Sequence, residues 1–452
     1  MKKLFNSSIA KLFAVAAVMM FAPMTLFAQS FEEDLARAKD GDSDAQIDVG
    51  ICYFFGRGVE ESQEEAFKWF EKSAKQGNIG GQLRVGYCYL YGLGVDIDKK
   101  ASTKWYRMAA EQGDPEAQYR MGDAYYFGNG VKVDYVESFR WYMLSAEQGY
   151  VEGQVNVAYA YRFGEGVDVD YVEAAKWYRM AAEQDDDFAQ RIMGDLYVYG
   201  EGVDVDFVEA AKWYRMAAEQ DNAVAQDKLG MCYLNGDGVK KSQAEAVKWF
   251  RLAANQGNPD AQHHLANRYY YGQGVLQSYE EAVKWYMSAA EQGHAYAQGM
   301  LGLCYYYGDG VEQDDAQAVM WFGLSAEQGN SFGQYWLGAC YEYGTGVEID
   351  YDEMFMWYSR SAAQEYGPAI NELGDCYYYG KGIECDWEMA YELYILAAEL
   401  GEVDAYYNVG YCLVMGKGVE EDYAKGVEML KVAAENDHEA AKVLLNNLDE
   451  VW

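Results

Sequence analysis

Apolar residues along this chain fall into two stripes that alternate on a fixed beat. Ala45, Val49, Cys52 and Tyr53 sit at i, i+4, i+7 and i+8, one face of a helix. The Val49 position stays apolar at every recurrence: Val85, Met121, Val157, Met193, Leu229, Leu265, Leu301, Leu337, Leu373 and Val409, each 36 residues on. The second stripe, Ala66, Trp69, Phe70 and Ala74, gives the buried face of another helix. Between the stripes stands Gly56-Arg57-Gly58-Val59. Eleven such turns run to Gly416-Lys417-Gly418-Val419 with no insertion or deletion. Glycine accepts the left-handed backbone that closes a helix, so the first helix ends at the turn.

The second helix opens at Ser62, and each recurrence of that position is a strong N-cap: Asp98, Asp134, Asp170, Asp206, Ser242, Ser278, Asp314, Asp350, Asp386 and Asp422. Glu65, Glu137, Glu173, Glu209, Glu245, Glu281 and Glu353 follow three residues later and predict reciprocal capping boxes. Each unit is therefore a helical hairpin. The fold class predicted is all-α: an α-solenoid of about eleven 36-residue helix-turn-helix repeats over 41–436. Residues 29–40 are expected as an N-terminal capping half-repeat, because Ala38 and Gly41 are in phase with Ala74 and Gly77. Residues 437–452 are expected as a C-terminal capping helix with Ala441, Val443 and Leu444 as its apolar positions.

Residues 1–28 read as a secretory signal peptide, with Lys2 and Lys3 before the apolar stretch from Leu12 to Phe21 and Ala28 as the cleavage residue. That places the mature chain in the periplasm or outside the cell. Only 4 prolines and 51% hydrophobic residues among 452 argue against disorder. The net charge of −37 repels nucleic acid and anionic lipid surfaces and favours basic partners.

With these residues in view, the chain resembles the Sel1-like repeat family, relatives of the tetratricopeptide repeats. The resemblance rests on Ala-Gln-x-x-x-Gly-x-x-Tyr-x-x-Gly-x-Gly-Val, then Ala-x-x-Trp-Tyr-x-x-Ala-Ala-Glu-Gln-Gly, followed closely by units such as 297–329. It implies a right-handed superhelix that binds proteins or peptides as an adaptor. The last two units depart from the pattern, with Leu393 and Met429 for Trp and Leu413 for Tyr, so looser packing or an altered end surface is expected there.

Chemistry finds little footing. Seven of eight cysteines share one repeat position (Cys52, Cys88, Cys232, Cys304, Cys340, Cys376, Cys412), while Cys385 sits in a loop. The cysteine-rich branch of the family bridges the two helices of each unit, but here the second helices carry no Cys. The shared position also holds Ala124, Ala160, Leu196 and Arg268, so it reads as a small buried slot. The Gly-x-Gly pairs lack a third Gly, a preceding strand and a Gly-Lys-Ser/Thr, which excludes a nucleotide loop. Asp168 with Asp170, and Asp204 with Asp206, lack the glycine of a calcium loop, and two of them are caps. His263, His264, His294 and His438 show no zinc spacing; the adjacent pair reads as solvated or facing a groove. Some relatives are linked to penicillin binding, yet the only Ser-x-x-Lys lies inside the signal segment. No catalytic, cofactor or metal residues are assigned.

The variable positions of the first helices carry the functional expectation. The Ile47 position supplies Tyr119, Tyr335 and Tyr407; the Asp48 position Arg84, Arg120 and Trp336; the Ile51 position Tyr87 and Tyr159; the Phe54 position Tyr126, Arg162, Tyr270, Tyr306 and Tyr378. Tyrosine, tryptophan and arginine are the residues of protein-binding hot spots. These are the candidate partner-binding residues, with Tyr335-Trp336 as the anchor. The function expected is an exported, non-catalytic scaffold that is monomeric, holds a protein or peptide partner in its concave groove, and inserts in no membrane. Glycan binding on the aromatic groove and a β-lactam-active hydrolase are the alternatives.

Overall fold

The structure, a computed structural model, describes residues 24–450, with side chains from residue 31 on. The predicted signal segment up to residue 23 and Trp452 lie outside the described residues. Among the described residues there are 24 helices and no strand. They pair into hairpins as the pattern predicted. In the first full unit, helix Ser43–Phe55 is followed by the turn and by helix Gln63–Lys75. Contact density divides the chain into two compact units, up to Ala217 and from Ala218.

The two stripes form the core. Val49, Val85, Met121 and their equivalents are fully or nearly fully buried, with Leu373 half-buried. Trp69, Trp213, Trp249 and Trp357 are buried. Leu413 is buried in the last hairpin, so loss of its tyrosine does not open the packing. At the N-terminus, helix Met24–Lys39 buries Phe31 and Ala38 against Ala45 and Val49. At the C-terminus, helix Glu439–Asn447 buries Ala441 and Leu445, while Val443 is exposed. Leu445, not Val443, stands 36 residues after Val409 and inherits its place in the core.

Caps and turns show where local rules hold and where stacking overrides them. Gly56 closes the first helix at φ 66°, in the left-handed region, as expected. The second glycine of the turn does more: a Cβ on Gly166 would overlap the backbone carbonyl of Tyr135 in the preceding repeat. The Ser62 hydroxyl accepts from Glu65 N–H at 3.2 Å, one arm of a capping box. The reciprocal arm is absent, because the Ser62 N–H is already taken by the Tyr53 carbonyl of the first helix at 2.8 Å. The capping glutamates turn outward instead: Glu65 pairs with Lys68 and Glu137 with Arg140, each at 2.7 Å.

A glutamine ladder, with exposed donors and buried acceptors, joins successive hairpins. Gln76 donates to Gln46, Gln112 to Gln82, Gln148 to Gln118 and Gln184 to Gln154 in the first unit, at 2.8, 2.8, 2.7 and 2.8 Å. Gln256 to Gln226, Gln292 to Gln262, Gln328 to Gln298 and Gln364 to Gln334 repeat it in the second. Gln262 then donates to the Ala254 carbonyl at 3.2 Å, satisfying a backbone oxygen at a helix end. The Ala-Gln and Glu-Gln-Gly of the repeat pattern are this ladder.

Candidate functional site

The residues expected to hold a partner mostly find partners inside the protein. At the Ile47 position, side chains pack on the N-cap residue of the next first helix. Tyr119 lies against Tyr150 at 5.6 Å between ring centroids, Tyr335 against Tyr366 at 5.6 Å, and Tyr407 against His438 at 4.6 Å. His263 stacks on His294 at 4.8 Å in the same way. Elsewhere the first helices begin at Asn or Asp, apart from Glu402, and the Ile47 position is not aromatic, as with Ile47 before Asn78. Tyr119 is only 9% exposed and is withdrawn as an accessible anchor.

The Ile51 position answers the second-helix ring across from it. Tyr142 donates to Asp123 and Tyr214 to Asp195, both at 2.8 Å; Tyr286 donates to Asn267 and Tyr394 to Asp375. Where the ring is phenylalanine (Phe70, Phe250, Phe322), the opposed residue is apolar: Ile51, Met231, Leu303. Tyr358 faces Ala339 and takes Glu342 instead, at 2.9 Å. A buried hydroxyl needs an acceptor, and each tyrosine of these five has one.

The Phe54 position reaches the middle residue of the next Gly-x-Gly turn. Arg162 pairs with Glu201 at 2.8 Å, and Tyr270 donates to Asp309 at 2.7 Å. Tyr126 stands beside Glu165, and Tyr306 beside Thr345. At Glu342 and Lys381 the polarity reverses, with the two joined at 2.8 Å. Arg84 and Arg120 are likewise engaged, Arg84 with the Gly80 carbonyl and Arg120 between Glu116 and Asp123. Trp336 stacks on Phe322 with rings 12° apart and touches Tyr306 and Phe332, half-buried in an aromatic cluster. Tyr378 lies beside Trp387, whose indole N–H donates to the Tyr378 carbonyl.

The two remaining candidates are half-buried and pack along their own helices: Tyr87 on Tyr91, and Tyr159 on Phe163, each at 4.5 Å. They lead to the position the sequence reading passed over, one residue after Phe54. It is aromatic in nine of eleven repeats, Asn235 and Met415 being the exceptions. In the second unit Tyr271, Tyr307, Tyr343 and Tyr379 occupy it in successive repeats, 55%, 56%, 67% and 64% exposed. Tyr307 contacts Trp336, so the row has an aromatic floor. Its exposure marks it as surface.

Titratable groups are tuned by burial. Burial pushes Glu372 up to about 8, with Asp375, Glu342 and Asp404 adding like charge and Lys381 opposing. Burial likewise pushes Asp123 up to about 6, against the pull of Arg120 and the Tyr142 hydroxyl. Burial lowers His263 to about 3, and His264 bonds Asp227 at 2.8 Å, so the adjacent pair is packed rather than solvated. The thiols of Cys88, Cys304, Cys340, Cys376 and Cys412 are pushed up to about 12 by burial, which makes them unreactive fillers of their slot.

The Sel1 repeat profile matches eleven consecutive segments: 43–78, 80–114, 115–150, 151–186, 187–222, 223–258, 259–294, 295–330, 331–366, 367–402 and 403–438. The chain belongs to the Sel1 repeat family. Among solved structures this Sel1 repeat chain is similar to c5321, a protective antigen present in uropathogenic Escherichia coli strains that displays an SLR fold. The two are 34% identical with a TM-score of 0.85, over 92% of this chain and 90% of that one. It is also similar to a Sel1 repeat protein from Oxalobacter formigenes, 30% identical with a TM-score of 0.55, over 68% of this chain and 90% of the other. No curated protein sequence matches. Sel1 repeats form scaffolds typical of protein–protein interaction, and no helix among the described residues of this one is long and apolar enough to cross a membrane.

Proposed function

We propose that the protein is an exported, non-catalytic scaffold that holds a protein or peptide partner against its row of exposed first-helix tyrosines. The observation that carries this reading is the row itself: Tyr271, Tyr307, Tyr343 and Tyr379, more than half exposed in four successive repeats. Amphipathic rings with few rotatable bonds bind at low entropic cost, and their regular spacing suits an extended chain. The Lys2, Lys3 and Leu12–Phe21 pattern supports export, and the net charge of −37 favours a basic partner. Exposed rings also suit the faces of sugars, so glycan is the second ligand to test.

A photo-crosslinking residue at Tyr343 in the producing cell gives the test. A discrete protein adduct that vanishes in the Tyr307→Ala/Tyr379→Ala background supports the reading. Co-sedimentation with peptidoglycan and no protein adduct overturns it in favour of glycan. Tyr335 packs on Tyr366 and Trp336 on Phe322, so Trp336→Ala is expected to lower thermal stability before it affects capture.

A further inference from the structure

The starts of three successive second helices carry apolar residues that the repeat does not need. Val133, Tyr135 and Val136 flank the cap Asp134. They recur as Val169, Tyr171 and Val172, then as Val205, Phe207 and Val208. All nine are between 44% and 55% exposed. Two other repeats build the same cap without valine or an aromatic ring at these places: Glu61, Gln63 and Glu64 around Ser62, and Gln313, Asp315 and Ala316 around Asp314. Both caps bond the backbone N–H three residues on, as Asp134 does. The fold is thus indifferent to apolar character here, and solubility opposes it.

The three strips are continuous. Gly166, just before Val167–Val169, packs on the backbone of Tyr135, and Gly202 packs on that of Tyr171. The band also carries acidic charge. Within residues 132–137, 168–173 and 204–209 eight acids stand against Lys132; Glu137, Glu173 and Glu209 pair with Arg140, Lys176 and Lys212 on the same helices, and Asp134, Asp170 and Asp206 cap those helices, so Asp168 and Asp204 set the charge that the band presents. Asp168 and Asp204 stand exposed between the valines.

We propose that this band is a second docking surface, for a cationic amphipathic segment of a partner protein. Its apolar side chains lie on the valines and the Tyr135, Tyr171 and Phe207 rings, and its Lys or Arg side chains lie beside Asp168 and Asp204. A second copy of the chain presents the same acidic band, and an anionic bilayer is repelled, so charge selects a basic partner.

The test uses the full mature chain and two variants. In the first, Val133, Val169 and Val205 become Gln, and Val136, Val172 and Val208 become Ala, replacements that other repeats already carry at these positions (Gln277, Gln313, Ala244, Ala316). The second is Asp168→Asn/Asp204→Asn, which leaves every cap intact. The probes are a labelled Leu/Lys amphipathic peptide, its Lys→Glu counterpart, and zwitterionic vesicles, with light scattering to follow self-association. Expected is binding of the Leu/Lys peptide alone, weakened about tenfold by the valine variant and less sensitive to salt in the Asp168→Asn/Asp204→Asn variant than in the parent chain. A crosslinker at Val172 in cells should capture a basic segment that one at Ala316 does not. Equal binding of the Lys→Glu peptide, binding of vesicles alone, self-association abolished by the valine variant, or unchanged binding in both variants overturns the proposal. Tyr307→Ala/Tyr379→Ala leaves the peptide binding intact, so failure here is separable from failure of the tyrosine row.

Discussion

Glu372 shows what a single buried carboxyl does to this fold. Burial and the neighbouring Asp375, Glu342 and Asp404 raise it to about 8 in the folded chain, so folding takes up a proton as pH rises above the ordinary carboxylate range. Its stabilising contribution is complete below the unfolded value and is lost as pH rises through about 8. Glu372→Gln mimics the protonated form. The urea midpoint of the parent chain is expected to fall between about pH 5 and about pH 9, and that of the variant to fall less, by circular dichroism. Equal falls would remove Glu372 from this role. The residue was visible in the sequence; its state was not, because only Asp375 shares its helix, while the like charges of Glu342 and Asp404 come from neighbouring helices and the opposing Lys381 from the turn.

At the scale of elements, the Gly-x-Gly turn proves to be a joint as well as a stop. Its first glycine ends a helix, its second lets the preceding repeat approach, and its middle residue locks to the repeat before. Arg162 with Glu201, and Glu342 with Lys381, are the same joint with opposite polarity. Arg162→Glu and Glu201→Arg are each expected to destabilise, and the double variant to recover, with a coupling of about 1 kcal/mol in a double-mutant cycle. Purely additive effects would show that the contact carries no energy. The helices, their buried faces and their Ser/Asp caps were legible from the 36-residue pattern. The reciprocal capping arm was not, since it depends on a carbonyl from the partner helix. Nor were the Tyr119–Tyr150 and Tyr126–Glu165 pairs, whose members stand 31 and 39 residues apart in different repeats. Matched variation along the chain was the available signal: aromatic N-caps accompany aromatic Ile47 positions, and polar Ile51 positions accompany Tyr142, Tyr214, Tyr286 and Tyr394.

Over the whole chain, stability is built from neighbour-to-neighbour contacts while charge acts over a longer range. Glutamine ladders and tethers join one hairpin to the next, and a net charge of −37 pushes them apart. Salt screens the diffuse repulsion more than the short, half-buried pairs. Raising sodium chloride from about 0.02 M to about 0.5 M is therefore expected to raise the urea midpoint. A fall would mean that the ion pairs outweigh the net charge.

The sequence alone determined the Sel1 hairpins, their number, their phase and their core, because a 36-residue period of apolar positions, glycines and caps is a local code written eleven times. It also pointed to the first helices as carriers of variable Tyr, Trp and Arg residues. Only the tertiary structure decided which of those are surface. A side chain one residue further along a helix turns by about 100°. That rotation separates Tyr306, tied to the next turn, from Tyr307, open to solvent. The spacing of identical residues cannot report it, since packing between repeats sets which side of each first helix is covered.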